Sequence, residues 1–177
     1  LVGSEMCIRD SSYFFPYGYN KLRKNALSPG TLSLERHRLL WIFLEKETDF
    51  FNTENKILHI APEQCFYKSF KKNFESYTTC DLNSPIAEIK ADVCNLPFDE
   101  NEFDFVLCNH VLEHVYDDEK AMKEIYRVLK HEGKAILQVP VDNALEKTID
   151  GRDITDQNLR NKLFGQYDHL RIYGTDY

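Results

Sequence analysis

Three apolar runs in this chain end on side chains able to hold a small polar molecule. Tyr77-Thr78-Thr79-Cys80 stops at Asp81, the run from Ile86 to Ala91 stops at Asp92, and Phe103-Asp104-Phe105-Val106-Leu107-Cys108 stops at Asn109-His110. In an open α/β sheet, ligands bind at the carboxyl ends of the strands, so these residues would border one site. A carboxylate placed like Asp81 can accept both hydroxyls of a ribose, and alone it does not separate NAD from other adenosine ligands. The alternative is a turn-forming role ahead of Asn83 and Pro85. Asp92 precedes Leu96-Pro97-Phe98. A carboxylate beside such an apolar wall suits the exocyclic amine of an adenine; the alternative is a helix cap.

Two further groups carry titratable side chains. His110-Val111-Leu112-Glu113-His114 matches the H-x-x-E-H pattern of some zinc peptidases. That chemistry needs both histidines on one long helix and a third ligand. Here the motif directly follows an apolar run and Asp117 opens a new helix, so no metal is expected and His114 reads as a satisfied strand-end histidine. Tyr167, Asp168, His169, Arg171 and Tyr173 form a polar and aromatic cluster beyond the last apolar run. It fits either the substrate side of the sheet or ordinary surface packing.

The elements that must position these groups alternate. Lys56 to Ala61 reads as the first strand, ended by Pro62, and Phe66, Phe70 and Phe74 then recur at helical spacing. Tyr77 to Cys80, Ile86 to Ala91, Phe103 to Cys108 and Ala135 to Val139 supply four more strands. Asp117-Asp118-Glu119 opens a helix with the charge its dipole favours. Ala121, Met122, Ile125, Val128 and Leu129 form its apolar stripe, Arg127, Lys130 and His131 fill its last turn, and Gly133 is expected as a left-handed cap. Upstream, Ser33 is the expected N-cap of a helix whose apolar face is Leu34, Leu40, Trp41, Phe43 and Leu44. A weak helix is expected over Gln157 to Phe164. Strands alternating with helices predict an α/β fold with a doubly wound, mostly parallel, Rossmann-like sheet. The link from Asp81 to about Ile86 is short for a parallel crossover, which predicts a turn there in place of a helix. Tyr13-Phe14-Phe15-Pro16-Tyr17-Gly18-Tyr19 reads as an arm packed on the domain or a lid over a ligand.

Composition narrows the function classes. The chain has 177 residues, 42 % of them apolar, with net charge −7, which suits one soluble domain with a real core and gives no footprint for nucleic acid or an acidic membrane. No stretch approaches the roughly 20 apolar residues of a membrane span. The five cysteines are scattered and odd in number, which suits a reducing cytoplasm better than a disulfide framework. They read as core side chains.

Asp92 with Leu96-Pro97-Phe98, then Phe103 to Leu107, His110 to His114, and Ile125-Tyr126-Arg127-Val128-Leu129-Lys130 with Gly133 resemble class I S-adenosylmethionine-dependent methyltransferases of the type 11-like kind. The resemblance covers roughly Lys56 to Pro140. Ser33 to Leu40 and Phe164-Gly165-Gln166 with His169 and Arg171 also resemble a bacterial subgroup whose first-strand motif reads like Leu58-His59-Ile60-Ala61-Pro62-Glu63. The resemblance implies S-adenosyl-L-methionine as cofactor and methyl transfer to a small-molecule acceptor. It places Asp81, with Leu82, on the ribose, Asp92 and the backbone of Val93 on the adenine, and Asn109 and His110 beside the methionine portion, with Ala61, Pro62 and Glu63 in the first-strand loop. A general base is optional, and the candidates are His110 and His169. An alternative reading is a methyltransferase-like module that binds without turnover.

The sequence departs from the family at the first strand. Most members carry an acid and then G-x-G-x-G, whereas here His59 replaces the acid and Ala61, Glu63 and Cys65 replace the glycines. Losing them should narrow the pocket or shift the cofactor. The mismatch argues against a nicotinamide dehydrogenase. Glu63 is placed either to pair with the cofactor's ammonium or as an exposed loop carboxylate. Some relatives carry a zinc knuckle near the N-terminus, but the cysteine positions here are Ser28 and Thr31, so no zinc is expected. The expected organisation is a linker-like segment over 1–11, an arm and helix over 12–55, the cofactor-binding core over 56–140 and a partial substrate-side segment over 141–177. Two closing strands of the sheet are expected to be missing. The fifth strand would then be an exposed edge, and an isolated monomeric chain that unfolds cooperatively with that strand covered by its own residues would overturn this.

Overall fold

The computed structural model describes residues 13–18 and 22–177, so the expected linker over 1–11 lies outside the described residues. Contacts divide the chain into two units, Leu1–Asn55 with Glu63–Tyr77, and Lys56–Pro62 with Thr78–Tyr177.

In the first unit, β1 (Phe15–Tyr17) and β2 (Arg23–Leu27) pair as an antiparallel ribbon. Helix α1 (Glu35–Glu47) buries His37, Leu40, Trp41 and Leu44. Its N-cap is Leu34, one residue later than expected. The Ser33 hydroxyl accepts from Thr31, and the His37 ring takes over at the helix start, Nδ1 accepting from the Leu34 backbone at 3.0 Å. Phe43, assigned to the apolar face, is 43 % exposed. In α2 (Gln64–Asn73) the four-residue spacing holds: Phe66 and Phe70 are buried and Phe74 follows as C-cap. Their rings meet Trp41 and Phe50 at centroid separations of 5.1 to 6.3 Å. Such pairs each contribute about 0.5–1.5 kcal/mol beyond the area they bury.

The second unit holds the sheet. Its strands are β3 (Ile57–Ile60), β4 (Tyr77–Asp81), β5 (Ile89–Lys90), β6 (Phe103–Cys108) and β7 (Leu129–Ile136), in the spatial order β5-β4-β3-β6-β7. The pairs β3·β6, β4·β5 and β6·β7 are parallel. All four β3 residues are buried, and β6 is buried except at Asp104, as a strand covered on both faces requires. Registry aligns Ile60 with Cys108 and Asp81 with Lys90. The residues after β3, β4, β5 and β6 therefore emerge along one edge. No helix lies between β4 and β5, in line with the short link. The cost is a two-residue β5 where the run from Ile86 to Ala91 predicts a longer strand.

Helix α3 (Asp118–Val128) is capped by Asp117, whose side chain accepts from the Lys120 backbone at 3.0 Å. It ends earlier than expected. Lys130, His131 and Gly133 belong to β7, which begins at Leu129 rather than Ala135. A register shift opposite Phe103–Phe105 absorbs the extra residues. The left-handed position falls on Glu132, φ 68°, not on Gly133. Glycine is needed at 133 for a different reason: a Cβ there would lie 2.9 Å from Leu129 Cγ and from the Lys130 carbonyl.

Beyond β7 the chain forms β8 (Ile149–Asp150), α4 (Gln157–Phe164, as predicted) and β9 (Arg171–Ile172), with β8 and β9 antiparallel. Arg171 is 1 % exposed. Its guanidinium donates to the carbonyls of Leu112 (2.7 Å), Val115 (2.6 Å) and Tyr116 (3.0 Å). These belong to the 3₁₀ turn Leu112–His114 that follows β6 and to the residues just after it. Asp118 Oδ2 lies 3.5 Å from Arg171 Nε and accepts from the Tyr173 hydroxyl at 2.9 Å. Removing one partner from such a buried charged set costs about 3–5 kcal/mol. Arg171→Leu should therefore lower the urea-unfolding free energy by about 3 kcal/mol or more; a change under about 1 kcal/mol, the ordinary surface range, would show the three carbonyls to be satisfied without it.

Candidate functional site

The carboxyl edge of the sheet opens into a cavity of about 670 Å³. From β3 outward the chain runs to β4 and β5, then returns to β6 on the other side of β3. The strand order thus reverses between β3 and β6, the position where open α/β sheets bind ligands. Among the residues that line the cavity beside this switch are Ala61 and His110. Both take the left-handed conformation, with φ 51° and 54°. Non-glycine residues avoid that region by roughly 1–2 kcal/mol, and held strain of this kind gathers at functional sites. Hydrogen bonds fix both: Ala61 N donates to the Cys80 carbonyl at 2.9 Å and His110 N to the Gln138 carbonyl at 2.7 Å.

Asp81, Leu82, Asp92, Val93, Ala61 and His110, six of the residues expected to bind a ligand, line this cavity. Asp81 Oδ1 accepts from the backbone of Asn83 (2.7 Å) and Ser84 (2.5 Å). The turn-forming role is therefore real, and both bonds fall on one oxygen. Asp92 Oδ1 accepts from Cys94 N at 2.8 Å, a local turn of the same kind. The apolar side of the cavity comes from Ile60, Ala91, Val93, Val111 and Val115. Leu96-Pro97-Phe98 does not supply it: Leu96 is buried in the core, Phe98 packs on the Phe103 ring at 5.1 Å, and Arg127 holds the carbonyls of Leu96 and Phe98.

Pro62, Glu63 and Asn109 are not among the lining residues. Asn109 is buried at 4 % exposure. Glu63 belongs to the first unit, where its Oε1 lies 3.2 Å from His37 Nε2 with only 13 % of the side chain exposed. It is not an exposed loop carboxylate.

The opposite wall comes from the polar stretch after β6 and from far down the chain. His110 Nδ1 lies 3.1 Å from Glu113 Oε1, and the Glu113 side chain is 1 % exposed. His114 lines the cavity with Asp168; His114 Nδ1 is 3.3 Å from the Asp168 carbonyl and 3.4 Å from its Oδ2. His169 lies behind, its ring crossing that of His114 edge-on at 4.8 Å. Of the polar cluster, Asp168 thus reaches the cavity, while Tyr167 is 47 % exposed. Tyr116, Asp117 and Lys120 also line it and were not expected. The only sequence signal for Lys120 was its place in the first turn of a helix opened by Asp117.

The lining carries four carboxyl side chains, Asp81, Asp92, Asp117 and Asp168, against one lysine, Lys120. Such a lining suits a cationic ligand and repels phosphates. The nearby thiols are poor nucleophiles. Burial first, then Asp92 and Asp117, push the Cys94 thiol up; burial and then Asp81 push Cys80 up to about 12. None of Cys65, Cys80, Cys94 and Cys108 forms a disulfide.

A family model described as a methyltransferase domain matches residues 54–137, the segment that carries the switch point and both strand-end acids. Over these residues the chain is similar to methyltransferase domains. The 2-phytyl-1,4-naphtoquinone methyltransferase of Nostoc punctiforme is 44 % identical over 52 residues, covering 29 % of this chain and 23 % of that protein. The ubiquinone/menaquinone biosynthesis C-methyltransferase of Rickettsia prowazekii is 34 % identical over 92 residues, covering 52 % and 36 %. The chain thus spans from about a quarter to about a third of the length of these two relatives. The crystal structure of the YcgJ protein from Bacillus subtilis superposes with TM-score 0.58 at 20 % identity, covering 80 % of this chain and 64 % of that one, which is a likeness of fold. No helix of the described residues is long and apolar enough to cross a membrane.

His169 gives the fold a pH dependence. Burial first, and then the neighbouring His114, lower its pKa from the ordinary 6.5. Below that value the unfolded chain takes up a proton that the folded chain resists, so stability falls as pH drops through and below 6.5. Denaturant titrations between about pH 7 and about pH 5 should show this slope in the parent and a shallower one in His169→Gln. Equal slopes would remove His169 as the source.

Proposed function

We propose that this domain binds S-adenosylmethionine in the cavity at the β3/β6 switch and transfers its methyl group to a small-molecule acceptor. The observation that carries the reading is the pair of strand-end acids, Asp81 and Asp92, on the rim of an acidic cavity at the switch point of a segment similar to methyltransferase domains. The cofactor would carry a sulfonium and an ammonium, both cationic, into a lining rich in carboxyl groups. In this reading Asp81 holds the ribose through the oxygen its turn leaves over, with Leu82 beside it. Asp92 and the Val93 backbone hold the adenine. Ala61, with Pro62 continuing its loop, and Asn109 with His110 take the methionine end.

When bound, the cofactor supplies an electrophilic methyl on sulfur. The protein's part is to hold acceptor and methyl in line in a dry pocket, where effective molarity does much of the work. His110 is the better placed of the two candidate bases: it lines the cavity, whereas His169 is buried behind it. Glu113 engages His110 Nδ1 at 3.1 Å. With Nδ1 as the donor there, Nε2 is left to accept a proton from the acceptor. One named relative is a 2-phytyl-1,4-naphtoquinone methyltransferase and the other a C-methyltransferase of ubiquinone/menaquinone biosynthesis, which supports a small acceptor here. The glycine-free first loop favours a second reading, a module that binds the cofactor without turnover.

A ligand that binds only the native state stabilises it, by about 2.7 kcal/mol at a hundredfold excess over Kd. S-adenosylmethionine should raise the melting temperature and NAD should not. Asp81→Ala should abolish the response. Asp81→Asn keeps an acceptor for the Asn83 and Ser84 turn, separating a ribose role from a structural one, and should weaken binding about tenfold or more. No response in the parent, or an unchanged response in both variants, would sink the assignment. Binding with no methyl transfer to any acceptor in a small-molecule extract would favour the module.

A further inference from the structure

The H-x-x-E-H stretch does not form the helix that a zinc peptidase needs. His110 is turned away at a left-handed residue, and Leu112–His114 is a single 3₁₀ turn. That turn nevertheless sets Glu113 and His114 against His169, which arrives from beyond α4. Each of the three can bring one ligand atom to within 4.8 Å of the other two. We propose that Glu113, His114 and His169 form a binding site for a divalent transition-metal ion of the Zn²⁺ or Co²⁺ type, at the wall of the cavity.

The imidazoles are prepared as ligands. His169 Nδ1 lies 3.2 Å from the Phe164 carbonyl, and His114 Nδ1 lies 3.3 Å from the Asp168 carbonyl. A carbonyl only accepts, so each Nδ1 carries the ring proton and each Nε2 keeps its lone pair. Metal-binding histidines are held this way, with the second nitrogen donating to a carbonyl or carboxylate that fixes the tautomer. Asp168 Oδ2, 3.4 Å from His114 Nδ1, adds to this hold.

Two carboxyl oxygens call independently for a cation. Glu113 is 1 % exposed, and its Oε2 has no hydrogen-bond partner among the described residues. Asp168 Oδ1 is also covered and has none among them, on a side chain that is otherwise 42 % exposed. A buried acceptor without a partner costs about 1–3 kcal/mol, and more when charged, so a fold keeps one only where something else satisfies it. The Glu113 carbonyl meanwhile accepts from Leu170 N at 2.8 Å, tying the turn directly to the His169 segment.

Two imidazoles and a carboxylate select zinc-like ions over magnesium and calcium, which prefer all-oxygen sites. Ligands about 2.0–2.2 Å from a tetrahedral ion sit roughly 3.5 Å apart. The observed spread of up to 4.8 Å is wider, so binding has to draw the three together, and His114 is the exposed member among them. Three protein ligands leave a coordination position open. His114 lines the cavity, so the ion would lie at its wall.

The test uses Co²⁺ alone, on the full chain after chelator treatment, read by equilibrium dialysis and by the visible d–d absorption of a low-coordinate site. One equivalent should bind, should be displaced by Zn²⁺ and not by Mg²⁺, and should raise the melting temperature. His114→Ala and Glu113→Gln should each weaken Co²⁺ binding at least tenfold, with circular dichroism reporting their folding. If Glu113→Gln fails to fold, His114→Ala decides, since its side chain is exposed. A parent that binds no equivalent, displacement by Mg²⁺, or unchanged affinity in His114→Ala would overturn the site. S-adenosylmethionine enters neither arm, so the metal site stands or falls apart from the cofactor reading.

Discussion

A single buried guanidinium organises the half of the molecule that carries the cavity wall. Arg171 donates hydrogen bonds to the carbonyls of Leu112, Val115 and Tyr116 at a short 3₁₀ turn whose own bonds are only His114 N to the Val111 carbonyl and Val115 N to the Leu112 carbonyl. A helix end buried without such donors would leave its last carbonyls unsatisfied. Arginine suits the task because its planar fork reaches several acceptors at once and stays charged. The charge in turn fixes Asp118 and, through it, the Tyr173 hydroxyl, whose ionisation burial and then Asp118 push upward. The turn so held carries Glu113 and His114 and leads straight from His110. Positioning those side chains is therefore a property of β9 as much as of the strand that precedes them.

The fold was largely legible because its strands are short, continuous apolar runs. Phe103 to Cys108 is the clearest case: a parallel strand buried on both faces cannot alternate, and this one does not. The acids at strand ends were legible for the same reason, since a charged residue that stops such a run must leave the core. Boundaries were less legible where backbone geometry overrides composition. Gly133 looked like a helix cap, but the left-handed residue is Glu132, and the glycine answers to crowding by Leu129 and Lys130. At the first loop, where the family's glycines are replaced, Ala61 adopts the left-handed turn itself, with one hydrogen bond to Cys80, beside a cavity of about 670 Å³.

The far wall of the site was not legible. Asp168 and His169 meet His114 across more than fifty residues, and no local periodicity encodes such a meeting. Lys120 lines the cavity because helix α3 starts there, which depends on the cap at Asp117 and not on any pattern in the lysine's own neighbourhood. The Leu-Pro-Phe stretch shows the opposite failure. Its residue types suited an adenine wall, yet Arg127 donates to its carbonyls, Leu96 is buried in the core and Phe98 packs on Phe103. What shares an edge of the sheet follows from strand order; what faces it across the cavity follows from tertiary contacts that composition does not record.

The reach of Arg171 also divides the cavity into a local side and a distant one. Its bond to Leu112 joins residues 59 apart in the chain, so the entropy of closing the loop between them is a cost this contact has to offset. Asp81 and Asp92 are held by turns with residues two or three positions away, and nothing in those turns draws on β9. The His114 wall has no such independence, because Arg171 bonds to the turn that carries it. One side of the cavity is written in neighbouring residues, and the other in a contact across the chain.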